Sequence, residues 1–330
     1  MAEFLTFDTD LTAVANAIRV KGGTSAQLIY PSGFVSAIQA IQTGITPKLV
    51  VTTTPGAAIT ATPAEGFKVV KGTAGADGMC TLELPKAGTW HVTAMANSVS
   101  NSQHIVIGTQ NMLLPLYHDT FANNTWEEII TVCRTGIASD SWAVGDSKTM
   151  NIGGTAYQVD IIGKNHDEYA DGSGTAPLTF QLHDCYSEAK QMYSTNLSGL
   201  GWKNTDMRLT YLPAILALMP AEVQNGIHAV NKKTSEGGNS TTIETVSDTL
   251  FLLSEVEIFG TASSSVSGEG SQYDYYKAGN PKIKKREGVD EFWWERSSAS
   301  GGMFCRVRAN GQAGASNASN SLGVSFAFCF

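Results

Sequence analysis

The sequence predicts a multi-domain, β-rich protein: short N-terminal helices, a small all-β sandwich, and a larger α+β domain. Three observations carry this. Helical spacing of apolar residues dominates residues 1–44. Short β-branched runs cut by Gly, Pro, Asn and Asp fill 45–108, and a mixture of capped helix, hairpins and single strands fills 109–330. At 330 residues the chain has room for two or three domains, and its 42% hydrophobic content is that of a folded protein. Charged residues make up only 16%, below the usual quarter, which suits β structure with many turns.

In "DLTAVANAIRVKGG", Leu11, Val14, Ala15 and Ile18 fall on one helical face, Asp10 can cap the start, and Gly22-Gly23 stop it. In "PSGFVSAIQAIQTG", Phe34, Ile38 and Ile41 form a second stripe. Two helices this short cannot bury their own stripes. They pack either on the next domain or on a partner, which makes Leu11, Ile18, Phe34, Ile38 and Ile41 the candidate oligomerisation residues.

Residues 45–108 hold five to seven short strands, with alternation in Cys80, Leu82, Leu84 and in Trp90, Val92, Ala94, and Asp77-Gly78 as a hairpin signal. In 109–330, "NNTWEEIITVCRTG" reads as a helix, with Thr125 and Glu128 as a capping box, Trp126, Ile129, Ile130 and Cys133 on one face, and Gly136 as its stop. "SKTMNIGGTAYQVDIIG" is a hairpin turning at Gly153-Gly154, and "LTFQLHDCY" is a strand. "DMRLTYLPAILALMPAEVQNGI" is helical with interruptions at Pro213 and Pro220, and "DTLFLLSEVEIFG" is a buried strand running into a short helix.

The net charge of −8 argues against a general nucleic-acid binder. "MAEFLTFDTD" has neither a basic n-region nor an apolar h-region, so no secretory signal is expected, and "YLPAILALMP" is too short to span a bilayer. Cys80, Cys133, Cys185, Cys305 and Cys329 are scattered, without a CxxC, and read as buried thiols of a protein made in a reducing cytoplasm. The spacing of Cys305 and Cys329 leaves a bridge between them open.

Taken in order, "TAYQVDIIGKNHDEYADGSG", "GWKNTDMR", "DTLFLLSEVEIFG" and "WWERS…FCRV…NG…GVSFAFCF" resemble the C-type-lectin-like domains at the ends of tail and fibre proteins of phages and prophages of gut Firmicutes. Formylglycine-generating enzymes use the same broad fold. The strand-rich middle resembles the immunoglobulin-like spacer modules of phage tail and bacterial surface proteins, and "LTAVANAIRVKGGTSAQLIYPSGFVSAIQAI" resembles a segment frequent in such tail proteins. The resemblance implies a virion protein, a tail-fibre or receptor-binding protein, that displays a variable face for host adhesion. A capsid decoration, or head-fibre, protein with the same display domain is the alternative. Its implied partners are a host-cell surface receptor (protein or glycan) and other virion proteins, with no cofactor, no nucleic acid and no membrane insertion. Its implied state is a homotrimer, since threefold fibres gain avidity from repeated sites. Some relatives are targets of diversity-generating retroelements, which mutate a stretch near the C-terminus while the flanking fold stays fixed.

The terminal stretch fits that layout. In "MFCRVRANG", Cys305, Val307 and Ala309 point one way, and Phe304, Arg306, Arg308 and Asn310 the other. "GVSFAFCF" alternates through Val324, Phe326, Phe328 and Phe330. Such a frame does not depend on what the opposite face carries. From Arg296 to the end there are three arginines and no acid, so the region is locally cationic and suits carboxylate, phosphate or sulfate groups. The candidate ligand-binding residues are Ser298, Ser300, Met303, Phe304, Arg306, Arg308, Asn310, Gln312, Ser316 and Asn317. The plainer alternatives are solvated strand charges and an ordinary loop.

Catalytic and metal readings are weaker. His166, Asp167, Glu168 and Asp171 in "NHDEYADGSG" lack the calcium-loop pattern and read as a surface loop. The EPN, QPD and WND triplets of calcium-dependent sugar-binding lectins are missing, as are GxSxG, HExxH and a P-loop. His183-Asp184-Cys185 cannot converge if they lie along one strand. An enzyme acting on surface glycans would need clustered carboxylates or an open cysteine pair, and Cys305 and Cys329 match neither reactive role.

Overall fold

A computed structural model of the chain describes residues 12–18, 47–64, 68–85, 87–107, 110–197, 199, 201–238 and 240–330. They belong to two compact units that divide between Leu116 and Tyr117. In the first, residues 12–18 are helical, with Ala15 and Ile18 buried. Val14, expected on the same face, is 48% exposed. Leu11, Phe34, Ile38 and Ile41 lie outside the described residues.

Seven strands follow: β1 (Lys48–Thr52), β2 (Ala58–Pro63), β3 (Val70–Thr73), β4 (Met79–Glu83), β5 (Gly88–Ala96), β6 (Val99–Ile107) and β7 (Gln110–Leu113). They form two sheets, ordered β4–β1–β7 and β3–β2–β5–β6, which share one core of Leu49, Val51, Leu82, Ile59, Trp90 and Val92. The alternation expected at Cys80, Leu82, Leu84 and at Trp90, Val92, Ala94 is the inward face of β4 and β5. Two expectations need correcting. Strand β7 pairs in parallel with β1, so this unit ends at Leu116 rather than at 108. Asp77-Gly78 is a turn but not a hairpin: with Gly78 at φ +72°, it carries the chain from β3 in one sheet to β4 in the other. Asn97-Ser98, both at positive φ, form a hairpin turn that joins β5 to β6.

In the second unit, helix α1 (Trp126–Arg134) forms as its sequence predicts. The Thr125 hydroxyl accepts from the Glu128 N–H, and the Glu128 carboxylate accepts from the Thr125 N–H at 2.7 Å. Its buried face holds Trp126, Ile129, Ile130 and Cys133, and Gly136 at φ +76° follows its end. Thr125→Ala should destabilise this unit by about 1 kcal/mol, read as a lower urea midpoint at unchanged slope. A second short helix, α2 (Ala138–Ser141), leads into β8 (Ser147–Ile152) and β9 (Thr155–Lys164), joined at Gly153-Gly154 with both glycines at positive φ. Strand β10 (Leu178–Leu182) is buried on both faces. A π-helical turn, Met207–Tyr211, runs straight into α3 (Leu212–Leu216). Pro213 sits at the start of α3, where the hydrogen bonding changes from π to α type, so the chain stays helical through it while regular α bonding is broken there. Pro220 is the cap before α4 (Ala221–Gly226).

The remaining elements are the hairpin β11 (Val230–Ser235) and β12 (Ile243–Asp248), helices α5 (Glu255–Phe259) and α6 (Asp274–Lys277), the hairpin β13 (Lys284–Arg286) and β14 (Val289–Glu291), the sheet β15 (Trp293–Ser298), β16 (Met303–Val307) and β17 (Ala313–Asn317), and β18 (Ala327–Cys329). The main sheet runs β18–β10–β9–β8, so the last strand pairs with a central one. Phe180 stacks on Phe328 there, and Trp126 meets Phe180 and Phe330 edge-on. Residues 323–330 are all buried, both faces being covered, so "GVSFAFCF" does not expose its alternate residues. Among the described residues no helix is long and apolar enough to cross a membrane. All five cysteines are buried free thiols, and no Cys305–Cys329 bridge forms.

Candidate ligand-binding site

The β15–β16–β17 sheet is built on a buried polar lattice. All six residues of β15 are buried although four are polar. The β15–β16 register slips between Trp294 and Ser298, and this irregularity turns Glu295, Arg296 and Ser297 into the interior. The Arg296 guanidinium donates to both Glu257 carboxylate oxygens and to the carbonyls of Leu252, Lys233 and Glu269. Glu257 also binds Lys232 at 2.8 Å and caps α5 through the Ser254 N–H. Lys232 reaches Asp167 at 2.6 Å, and Asp167 accepts from Thr179 and Tyr273 as well. Four buried charges thus alternate: Asp167, Lys232, Glu257, Arg296. Burial opposes ionisation of both carboxylates, but Lys232 with His166 at Asp167, and Arg296 with Lys232 at Glu257, outweigh it and hold them below their ordinary range. Asp167, read as part of a surface loop, is therefore a buried anchor, and Arg296, counted in the cationic patch, is fully buried and paired.

The carboxylates that a glycosidase reading would need do gather in space, but around this lattice rather than in an opening. Glu255 accepts from Ser263, Ser264 and Ser265, and Glu269 from Ser235 and Ser297. Both oxygens of Glu295 are buried without a partner. Burial pushes the Cys305 and Cys329 thiols far up, away from thiolate chemistry. His183 Nδ1 lies 2.7 Å from Asp160, while Cys185 is buried. Among the described residues no three of His, Cys, Asp and Glu are grouped to hold a metal ion.

The open feature is the tip of the β16–β17 hairpin. A cleft of about 400 Å³ is lined by Phe292, Arg306, Arg308, Ala309 and Asn310. The turn beneath it is tight: the Arg308 N–H donates to the Gln312 carbonyl and the Gly311 N–H to the Arg308 carbonyl, both at 2.7 Å. Asn310 pins the turn further, its Oδ1 accepting from the Gln312 N–H and its amide donating to the Gln312 side chain. Arg306 donates from Nε to the Ala315 carbonyl at 3.1 Å, and its guanidinium carbon lies 4.1 Å from the centre of the Phe292 ring. Burial, and then the charge of Arg308, pull the Arg306 guanidinium below its ordinary value.

The ten residues expected to bind a ligand are split by this geometry. Arg306, Arg308, Asn310 and Gln312 cluster at the tip. Ser300, Met303, Ser316 and Asn317 lie at the opposite end of the same hairpin, since Met303 pairs with Asn317 and Phe304 with Ser316. The two groups are about 13 Å apart along the strand. Ser298 and Phe304 are buried, Ser298 donating to the Gly238 carbonyl and Phe304 packing near Tyr193, so neither side chain faces solvent. Phe292 was missed. Alternation in "EFWWERS" sets Phe292 and Trp294 against Trp293 and so does not single it out; Phe292, just outside β15, is 36% exposed while both tryptophans are buried. A second cleft, of about 290 Å³, holds Arg208 and Asp248, which pair with each other at 2.5 Å.

No curated protein matches the chain in sequence. Residues 179–330, from within β10 to the last residue and so including the whole β15–β16–β17 sheet, are similar to the family described as Domain of unknown function (DUF6273).

Proposed function

We propose that this chain is a phage virion protein, a tail-fibre or receptor-binding protein, whose second unit has a C-type-lectin-like fold and binds a host-surface ligand at the β16–β17 tip. The strands of the first unit serve as an immunoglobulin-like spacer, and the N-terminal segment attaches or trimerises the fibre. One observation supports this most: exposed Arg308, Asn310 and Gln312 project from a turn whose immediate support, Val307 on β16 and Trp293 and Trp294 on the adjoining strand β15, is fully buried. Display and frame are thus carried by different residues, as an adaptable binding surface requires. The gathered carboxylates and thiols are buried, which supports binding over catalysis.

The purified chain should block adsorption of its virion to host cells. The triple variant Arg308→Ala, Asn310→Ala, Gln312→Ala should lose that block by at least about tenfold, with its stability changed by no more than about 1–1.5 kcal/mol, the sum of three surface substitutions at up to 0.5 each. Undiminished blocking by the triple variant would sink this reading.

A further inference from the structure

We propose that the hairpin-tip cleft is a clamp for a tetrahedral oxyanion, a phosphate or sulfate ester on a surface glycan, gripped jointly by Arg306 and Arg308. The inference rests on the reading of the tip as a ligand face and names the chemistry that face selects. Arg306 is preset: its Nε is engaged by the Ala315 carbonyl and one face by Phe292, which leaves the Nη1 and Nη2 edge to meet a ligand. Arg308 is seated differently. It lies across Gly314, where an added Cβ would come within 2.7 Å of the Arg308 Nε. Its partner strand supplies hydrogen there instead of a side chain, so the guanidinium rests on backbone.

Among the described residues neither guanidinium has an ion-pair partner, and of the acids that precede the hairpin Glu295 is shut in the interior and the other two are occupied. Asp290 binds Lys285 and Glu291 binds Arg286. Two like charges held side by side without a counter-ion on the protein call for one on the ligand. A monocarboxylate has two oxygens, which a single guanidinium fork satisfies. A phosphate or sulfate ester has three terminal oxygens and can accept from both forks at once, with the Asn310 amide at the same rim.

The test uses the full chain and three probes, glucose 6-phosphate, acetate and glucose, titrated by calorimetry at low salt. Glucose 6-phosphate should bind at least about tenfold more tightly than acetate, glucose should not bind, and added NaCl should weaken the phosphate. Arg306→Ala and Arg308→Ala should each lose about tenfold or more. Gly314→Ala keeps both charges but displaces Arg308, so it should also weaken glucose 6-phosphate severalfold. Equal binding of acetate and glucose 6-phosphate, or a Gly314→Ala chain that binds like wild type, would overturn the clamp and leave only a diffuse cationic surface. Tighter binding of a single-stranded oligonucleotide than of glucose 6-phosphate would overturn the glycan assignment. The two readings fail separately. Phosphate binding that needs both arginines, in a chain that does not block adsorption, leaves the clamp standing and removes the adhesin. Adsorption lost in the tip variants without any phosphate binding does the reverse.

Discussion

Arg296→Met should destabilise the second unit by about 3–5 kcal/mol. The methionine fills much of the same space, so the loss is electrostatic. Without the guanidinium, Asp167, Lys232 and Glu257 carry one uncompensated negative charge in the interior, and the carbonyls of Leu252, Lys233 and Glu269 lose a donor. The readout is urea unfolding followed by tryptophan fluorescence, five of the six tryptophans lying in this unit. The double variant Arg296→Met, Glu257→Met tests the cause. It leaves Lys232 paired with Asp167 and the lattice neutral, so it should cost less than the sum of the two single changes by about 1–3 kcal/mol. Strict additivity would mean that Arg296 acts by packing alone.

Local signals in the sequence reached the structure intact, and long-range ones did not. The Thr125/Glu128 capping box, the Gly153-Gly154 turn and the alternation of β4 and β5 depend on residues within a few positions of one another. The polar half of "WWERSS" was opaque because its partners are remote: Arg296 meets Glu257 39 positions away, and Glu255 binds Ser297 at a separation of 42. Charged and hydroxyl residues read singly belong on the surface; only the assembled lattice makes them a core. Asp77-Gly78 shows the same limit in another form. Its turn chemistry was legible, but not that the strands on either side join different sheets. Of the site, the tip residues Arg306, Arg308 and Asn310 were legible from strand alternation. The removal of Ser298 and Phe304, and the split of the rest between two ends of a hairpin, were set by the register of β15 to β17.

Glu295→Gln should flatten the pH dependence of stability between about pH 5 and 8 while leaving the fold unchanged. Both Glu295 oxygens are buried and unpartnered, and burial, with the charges of Glu255 and Glu269, pushes its carboxyl well above the usual range. The folded state therefore keeps a proton that the unfolded state releases near pH 4.5. Stability is fully present below that value and falls as pH rises through the folded one, by up to about 1.4 kcal/mol per pH unit. Glutamine keeps the shape and cannot ionise. Glu269, raised chiefly by burial, adds a slope of the same sign, so a residual dependence should survive in the variant. Three neighbours act elsewhere. Asp167, Glu255 and Glu257 are held low, and their contribution is lost only as pH falls through the acid range. Buried Lys284, lowered to about 8, makes stability rise between about pH 8 and 10.5, which is why the comparison stops at pH 8. Urea midpoints at pH 5, 6, 7 and 8 decide the matter. Parallel curves for wild type and Glu295→Gln would show that Glu295 titrates as an ordinary carboxylate.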